Sequence, residues 1–216
     1  LYNFIKYFEE TFNESVHTPL KLWRKLHSVQ EQNLWLEKSE KVILTPFMNP
    51  SFITNPYKDI IAEFGFGEVT NSGRVQLSKV ISLFKKQLEI EDCFLNEDFD
   101  FNALELSSST VVYKSVSADK IVFCEGYRIT ENPFFNYLPL IKTKGELITV
   151  ELKGLQIREL IKSNISILPL GDDVYKVGAT FNWEDTDENS TAQAKEELLY
   201  KLKEIVNVSP KLVKQE

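Results

Sequence analysis

The sequence predicts an α+β fold: a mixed, mostly antiparallel sheet flanked by helices. Three observations carry that expectation. Apolar residues recur at helical spacing at both ends of the chain and again near residue 80. Between these stretches lie short apolar or alternating segments separated by tight turns, the pattern of strands. Residues 165–180 add a hairpin, two alternating runs joined by Gly171-Asp172-Asp173.

In chain order, Leu1, Phe4, Ile5, Phe8 and Phe12 share one helical stripe. Residues 19–26 alternate, with Leu20, Leu22 and Arg24 on one side, and read as a strand. Ser28 followed by Glu31 is a capping box, which opens a short helix carrying Leu34, Trp35 and Lys38. Pro46, Pro50 and Pro56 break any long element and make residues 42–56 irregular. Gly65, Gly67 and the Asn71-Ser72-Gly73 turn bracket a hairpin whose second strand begins near Arg74. Residues 77–88 form a helix with Leu77, Val80, Ile81, Phe84 and Leu88 on one face. Residues 93–95, 103–106, 110–113 and 120–124 read as strands joined by turns. Gly145 opens an alternating strand that runs to Glu151, and residues 157–161 fit a helical turn or a strand equally. After the hairpin, a polar acidic loop at 184–189 leads to Ser190 and Gln193, a second capping box. Ala194, Leu198, Leu202, Ile205 and Val206 then stripe a C-terminal helix.

Composition excludes several function classes. With 43% hydrophobic and 12% aromatic residues the chain can bury a core, which excludes disorder. The 25 basic and 32 acidic side chains give a net charge of −7, the wrong sign for a nucleic-acid surface. No apolar run approaches the roughly 20 residues of a membrane span. Cys93 and Cys124 stand far apart in no metal or redox spacing. Cys124 lies in an apolar run, so a reduced, buried thiol in a cytoplasmic protein is expected. His17 and His27 have no Cys, Asp or Glu at ligand spacing, so no metal site is expected. Gly65-Phe66-Gly67 lacks the dinucleotide fingerprint, and no nucleophile elbow, HExxH or Walker loop occurs. The acidic run 184–188 lacks calcium-loop spacing and reads as a solvated loop, its charge favourable ahead of a helix N-terminus. No cluster of side chains supplies catalytic chemistry by itself.

Several segments together resemble a family. The stretch Asp119-Lys120-Ile121-Val122-Phe123-Cys124-Glu125-Gly126-Tyr127 resembles the ADxVVxAxGxx strand of FAD-dependent oxidoreductases of the glycine oxidase and D-amino-acid oxidase type. Leu138-Pro139-Leu140 with Lys142-Thr143-Lys144-Gly145-Glu146 resembles the proline and KGE or RGQ strand that follows it. Pro169-Leu170-Gly171 through Val177-Gly178-Ala179-Thr180 resembles that family's YVGAT strand pair, and Gly73 to Leu88 its glycine-led strand and helix. The Trp183-Glu184-Asp185-Thr186-Asp187 loop and the helix after it match the usual continuation. The order of segments, from about Gly73 to Glu216, is the specific part.

The resemblance implies a cofactor, FAD, which performs the redox step while the protein orients and shields it. It places Glu125 and Gly126 near the FAD adenosine or pyrophosphate, although Cys124-Glu125 departs from the small residues usual there. It offers Arg128, Tyr137, Lys144 and Trp183 as contacts to a small-molecule amine or amino-acid substrate. The family's opening strand-GxGxxG-helix and its closing glycine- and arginine-containing segment do not occur here, and the chain starts at Leu1. A fragment is therefore expected: residues 1–72 and 128–206 from a substrate-binding domain, 73–127 from the FAD domain, and 207–216 a tail. Two other readings remain open, a non-catalytic α+β binding module and a family member that has lost FAD. By itself the chain is expected to be inactive.

Overall fold

The structure, a computed structural model, describes residues 1–184 and 187–216. It divides into two compact units, the first made of residues 1–83 and 143–216, the second of residues 84–142.

The first unit is built on an eight-stranded sheet. Its strands are β2 (Leu22–Lys25), β3 (Met48–Ile53), β4 (Phe66–Val69), β9 (Leu147–Glu151), β10 (Leu160–Lys162), β11 (Ser166–Gly171), β12 (Val174–Gly178) and β13 (Lys211–Gln215), in the spatial order β13-β9-β12-β11-β10-β2-β4-β3. Every pair is antiparallel except β10 with β2, where Leu160, Ile161 and Lys162 face Leu22, Trp23 and Arg24 in parallel register. The mixed, mostly antiparallel sheet expected from the sequence is thus present.

Period-two alternation gives this sheet two different faces. One carries Trp23, Phe66, Ile148, Val150, Ile161, Ile167, Tyr175 and Val177, all buried. Helix α4 (Ala192–Lys203) packs on that face through Leu198 and Leu202, and Ile205 and Val206 beyond its end complete the core. Thr191 caps α4, its hydroxyl accepting the Ala194 amide at 3.2 Å, one residue later than the Ser190 cap expected. Helix α2 (Val29–Ser39) lies on the other face, because Trp35 rests on Gly67, whose register neighbours Phe66 and Glu68 point the opposite way. Its capping box forms as predicted: the Ser28 hydroxyl accepts the Glu31 amide at 3.2 Å, and the Glu31 carboxylate accepts the His27 amide at 3.0 Å.

A smaller cluster surrounds helix α1 (Tyr2–Phe12). Ile5, Phe8 and Val16 bury against Phe12, Val75, Val80 and Leu83. The ribbon beside it pairs β1 (His17–Pro19) with β5 (Gly73–Val75). The hairpin partner expected for Arg74 is thus not the strand at Gly67: β4 is taken up by β2 and β3. Strand β3 itself runs through the stretch read as irregular, since Pro50 falls where the register slips and no ladder amide is demanded of it. Helix α3 (Leu77–Ile90) forms as predicted, yet Leu77, Ile81 and Phe84 on its stripe are exposed and no residue of it is fully buried.

In the second unit, β6 (Leu104–Leu106), β7 (Val111–Tyr113) and β8 (Val116–Ala118) make an antiparallel meander. Residues 93–95 and 120–124 are not strands. The third strand is β8, reached by a tight turn at Lys114, and Phe123 is drawn into an aromatic cluster. Cys124 is exposed rather than buried, as is Cys93. Among the described residues no helix is long and apolar enough to cross a membrane.

Two substitutions test this architecture. Leu202→Ala, at a fully buried position, is expected to cost about 2–5 kcal/mol in denaturant unfolding. Gly67→Ala would drive a methyl into the Trp35 ring and is expected to cost about 1–3 kcal/mol by overpacking, read in the same assay.

Candidate functional site

The KGE segment singled out in the sequence sits at the end of β9 against the start of α4. Residue parity on β9 turns Glu146 to the core face with Ile148 and Val150, directly beneath the Thr191 cap. Its carboxylate accepts the Thr191 amide at 2.7 Å, the Thr191 hydroxyl at 2.8 Å and the Gln215 side-chain amide at 3.0 Å. Burial pushes the Glu146 carboxyl up, but the Thr191 donors, Gln215 and the nearby Lys144 ammonium outweigh it and hold the group below its usual range. The negative charge also meets the positive end of the helix dipole. At the far end of α4 the buried Lys25 ammonium reaches the Glu204 carbonyl at 3.4 Å. Burial lowers its pKa, and Glu204 opposes that shift.

Lys144 and Trp183 flank a two-residue bridge. The Lys144 and Asn182 backbones exchange hydrogen bonds at 2.8 Å each, and Trp183 follows, 62% exposed. The Lys144 ammonium lies 2.6 Å from Asp187 and 3.8 Å from Glu146. It holds the Asp187 carboxyl down to about 2, with Asn189 assisting. Lys144 is thus committed to ion pairs within the protein. Of the acidic loop at 184–189, residues 185 and 186 lie outside the described residues.

The sheet face opposite α4 carries a different set. Leu147, Thr149, Lys176, Gly178, Ser166, Leu168, Lys162, Leu22 and Arg24 occupy it by register. Helix α2 covers only its β4–β3 end. At that boundary a cavity of about 390 Å³ opens, lined by Leu22, Arg24, Leu34, Trp35, Met48 and Val69, with Glu31 and Lys38 also on its wall.

In the second unit, Glu125, Gly126 and Arg128 lie together around a short 3-10 helix, Gly126–Glu131. Gly126 has φ +58°, and no atom lies within 4 Å of where a Cβ would stand. The Glu125 carboxylate accepts the Asn132 side-chain amide at 2.8 Å. Asn132 is fully buried and also accepts the Phe134 amide at 2.9 Å. The Arg128 guanidinium lies 5.9 Å from the Tyr127 ring centre, while Tyr137 is 75% exposed. Phe99 stacks on Tyr113 at 4.4 Å, and Phe123 meets Phe99, Phe101, Phe134 and Phe135. A cavity of about 630 Å³ opens beside this cluster, lined by Cys93, Leu95, Phe99, Tyr113 and Val116 among others. Among the described residues, no group of His, Cys, Asp and Glu could hold a metal ion.

Of the residues predicted from sequence, the structure brings Glu125, Gly126 and Arg128 together, and separately Lys144 and Trp183. The adjacency of Arg24 and Lys162 depends on a parallel pairing of distant strands, which leaves no local signal in the sequence.

No protein-family profile matches the chain. Solved structures do. Glycine oxidase from Geobacillus kaustophilus superposes with a TM-score of 0.72 at 14% identity, over 99% of this chain and 62% of that one. Iminodiacetate oxidase from Chelativorans sp. BNC1 gives 0.71 at 13% identity, over 99% and 63%. Glycine oxidase from Bacillus cereus gives 0.67 at 12% identity, over 99% and 64%. The chain shares the fold of the matching part of these oxidases. The chain spans less than two thirds of the length of these oxidases.

The Glu146 linkage makes a pH prediction. Its folded pKa lies below its unfolded one, so its ionisation stabilises the fold above about pH 4.3. That contribution is lost as the pH falls through the folded pKa. Glu146→Gln is therefore expected to unfold at lower denaturant than wild type at pH 7, with the gap closing as the pH is lowered into the acid range. A gap of constant size across that range would count against the assignment.

Proposed function

We infer that this chain is the substrate-binding portion of an FAD-dependent oxidase acting on a small amine or amino acid. The observation that carries this reading is the superposition of 99% of the chain on glycine and iminodiacetate oxidases, joined to the ordered motifs that resemble the same family. Each of those neighbours is named for a small amino compound. The reading also accounts for a sheet with one face packed by α4 and the other left largely open, a surface on which a substrate can be oriented.

Gly126 fits a cofactor contact: its left-handed backbone is open to close approach, as a phosphate requires. Glu125, the residue whose charge argues against such a contact, is tied to Asn132. Bound FAD would supply the hydride acceptor for oxidation of the carbon bearing the amine. The chain's own part is to hold the substrate. In the second unit, Arg128 supplies a cation for a carboxylate and Tyr137 exposed aromatic surface; in the first, Trp183 supplies exposed aromatic surface beside Lys144, whose charge Asp187 and Glu146 already balance. Two exposed, unpaired thiols suit a reducing, cytoplasmic compartment.

The test is spectroscopic. Protein made from the whole reading frame is expected to carry the flavin absorption band and to bleach when an amino acid or amine is added without oxygen. A colourless product that takes up no added FAD would overturn the reading and favour a member that has lost the cofactor. Gly126→Val puts a side chain into the space open beside that backbone and is expected to lower flavin affinity by about tenfold, read by equilibrium dialysis.

A further inference from the structure

On the open face of the first unit's sheet, two cations have no carboxylate partner among the described residues. Arg24 on β2 and Lys162 on β10 are register partners on the open sheet face, each half-buried. Adjacent strands stand about 4.8 Å apart, and like charges placed side by side across a ladder repel. Among the described residues, the Lys162 ammonium donates to the Ser166 hydroxyl at 3.0 Å, and Arg24 makes no side-chain hydrogen bond or ion pair. Elsewhere on the same face the chain matches its charges: Lys176 lies 2.9 Å from Glu216. One member of this unmatched pair, Arg24, also lines the cavity beside α2. Arg24 lines it together with Leu22, Leu34, Trp35, Met48 and Val69, an apolar wall around a single guanidinium. The other charges on that wall are Lys38, at the exposed rim, and Glu31, which has one oxygen committed to the His27 amide.

We propose that this cavity is a binding subsite for a small carboxylate with an apolar body, the carboxylate held by Arg24 with Lys162 beside it. Guanidinium pairs with carboxylate through two parallel N–H donors, and a half-buried cation gains most from such a partner. The volume of about 390 Å³ suits a ligand of a few branched carbons. The subsite goes beyond the oxidase reading, because it concerns binding to the first unit alone and stands whether or not flavin is bound.

The probe is 3-methylbutanoate, with 3-methylbutan-1-ol as its uncharged counterpart, titrated into the full chain by calorimetry. The acid is expected to bind saturably and more weakly as salt is raised, the alcohol about tenfold more weakly or worse. Arg24→Met is expected to erase the preference for the acid. Because it relieves the repulsion with Lys162, it should leave the unfolding temperature without ligand unchanged or higher, which a merely structural arginine would not do. Arg24→Lys should keep part of the preference, and Lys162→Met should weaken acid binding severalfold. Equal affinity for acid and alcohol, undiminished acid binding by Arg24→Met, no binding of the acid, or a lowered unfolding temperature in Arg24→Met would each overturn the proposal.

Discussion

The first unit depends on how one helix is fixed to one sheet. α4 contributes Leu198 and Leu202 to the core, but apolar contact alone is non-directional and would tolerate sliding along the sheet face. The ends of the helix set its position. A carboxylate from β9 satisfies the free amide at its start, and an ammonium from β2 reaches a carbonyl at its close. Each charge lies where the dipole favours it. Strands from opposite halves of the sheet supply these two anchors. The helix therefore spans the junction and holds the two halves in a single register.

Gln215 extends the same clamp to the edge of the sheet. It donates to both Glu146 and the Thr191 carbonyl, so the last strand is tied to the helix cap as well as to its ladder with β9. This explains how a segment as charged as Lys211–Gln215 forms a strand at all. Its side chains are nearly all exposed, so ladder hydrogen bonds and the two part-buried contacts of the Gln215 amide replace apolar burial.

Much of the fold was legible because its signals are local. The stripes of α1, α3 and α4, the Ser28 capping box and the β11–β12 hairpin each declare themselves within a few residues. What escaped was long-range. β3 hides behind prolines that an edge strand tolerates, and β13 behind lysines that an edge strand favours. The apolar run at Ile121–Phe123 promised a strand, yet Phe123 serves an aromatic cluster instead. At the candidate site the KGE motif pointed to Glu146, while its partners Thr191 and Gln215 could not be foreseen, since only folding brings them to it. Arg24 and Lys162 belong to the same class: each is an ordinary strand residue until β2 and β10 pair.

That parallel pair has a consequence for how the chain is made. The first unit is discontinuous, with residues 84–142 inserted between its two parts, and β2 and β10 join those parts at the middle of the sheet. During synthesis β2 emerges early, and its partner on that side does not exist until the whole inserted unit has left the ribosome. In the interval the chain carries an open edge at Leu22–Lys25, the kind of surface that other strands pair with. Arg24 and Lys25 on that edge are charges of one sign on both faces, and they discourage such pairing until β10 arrives.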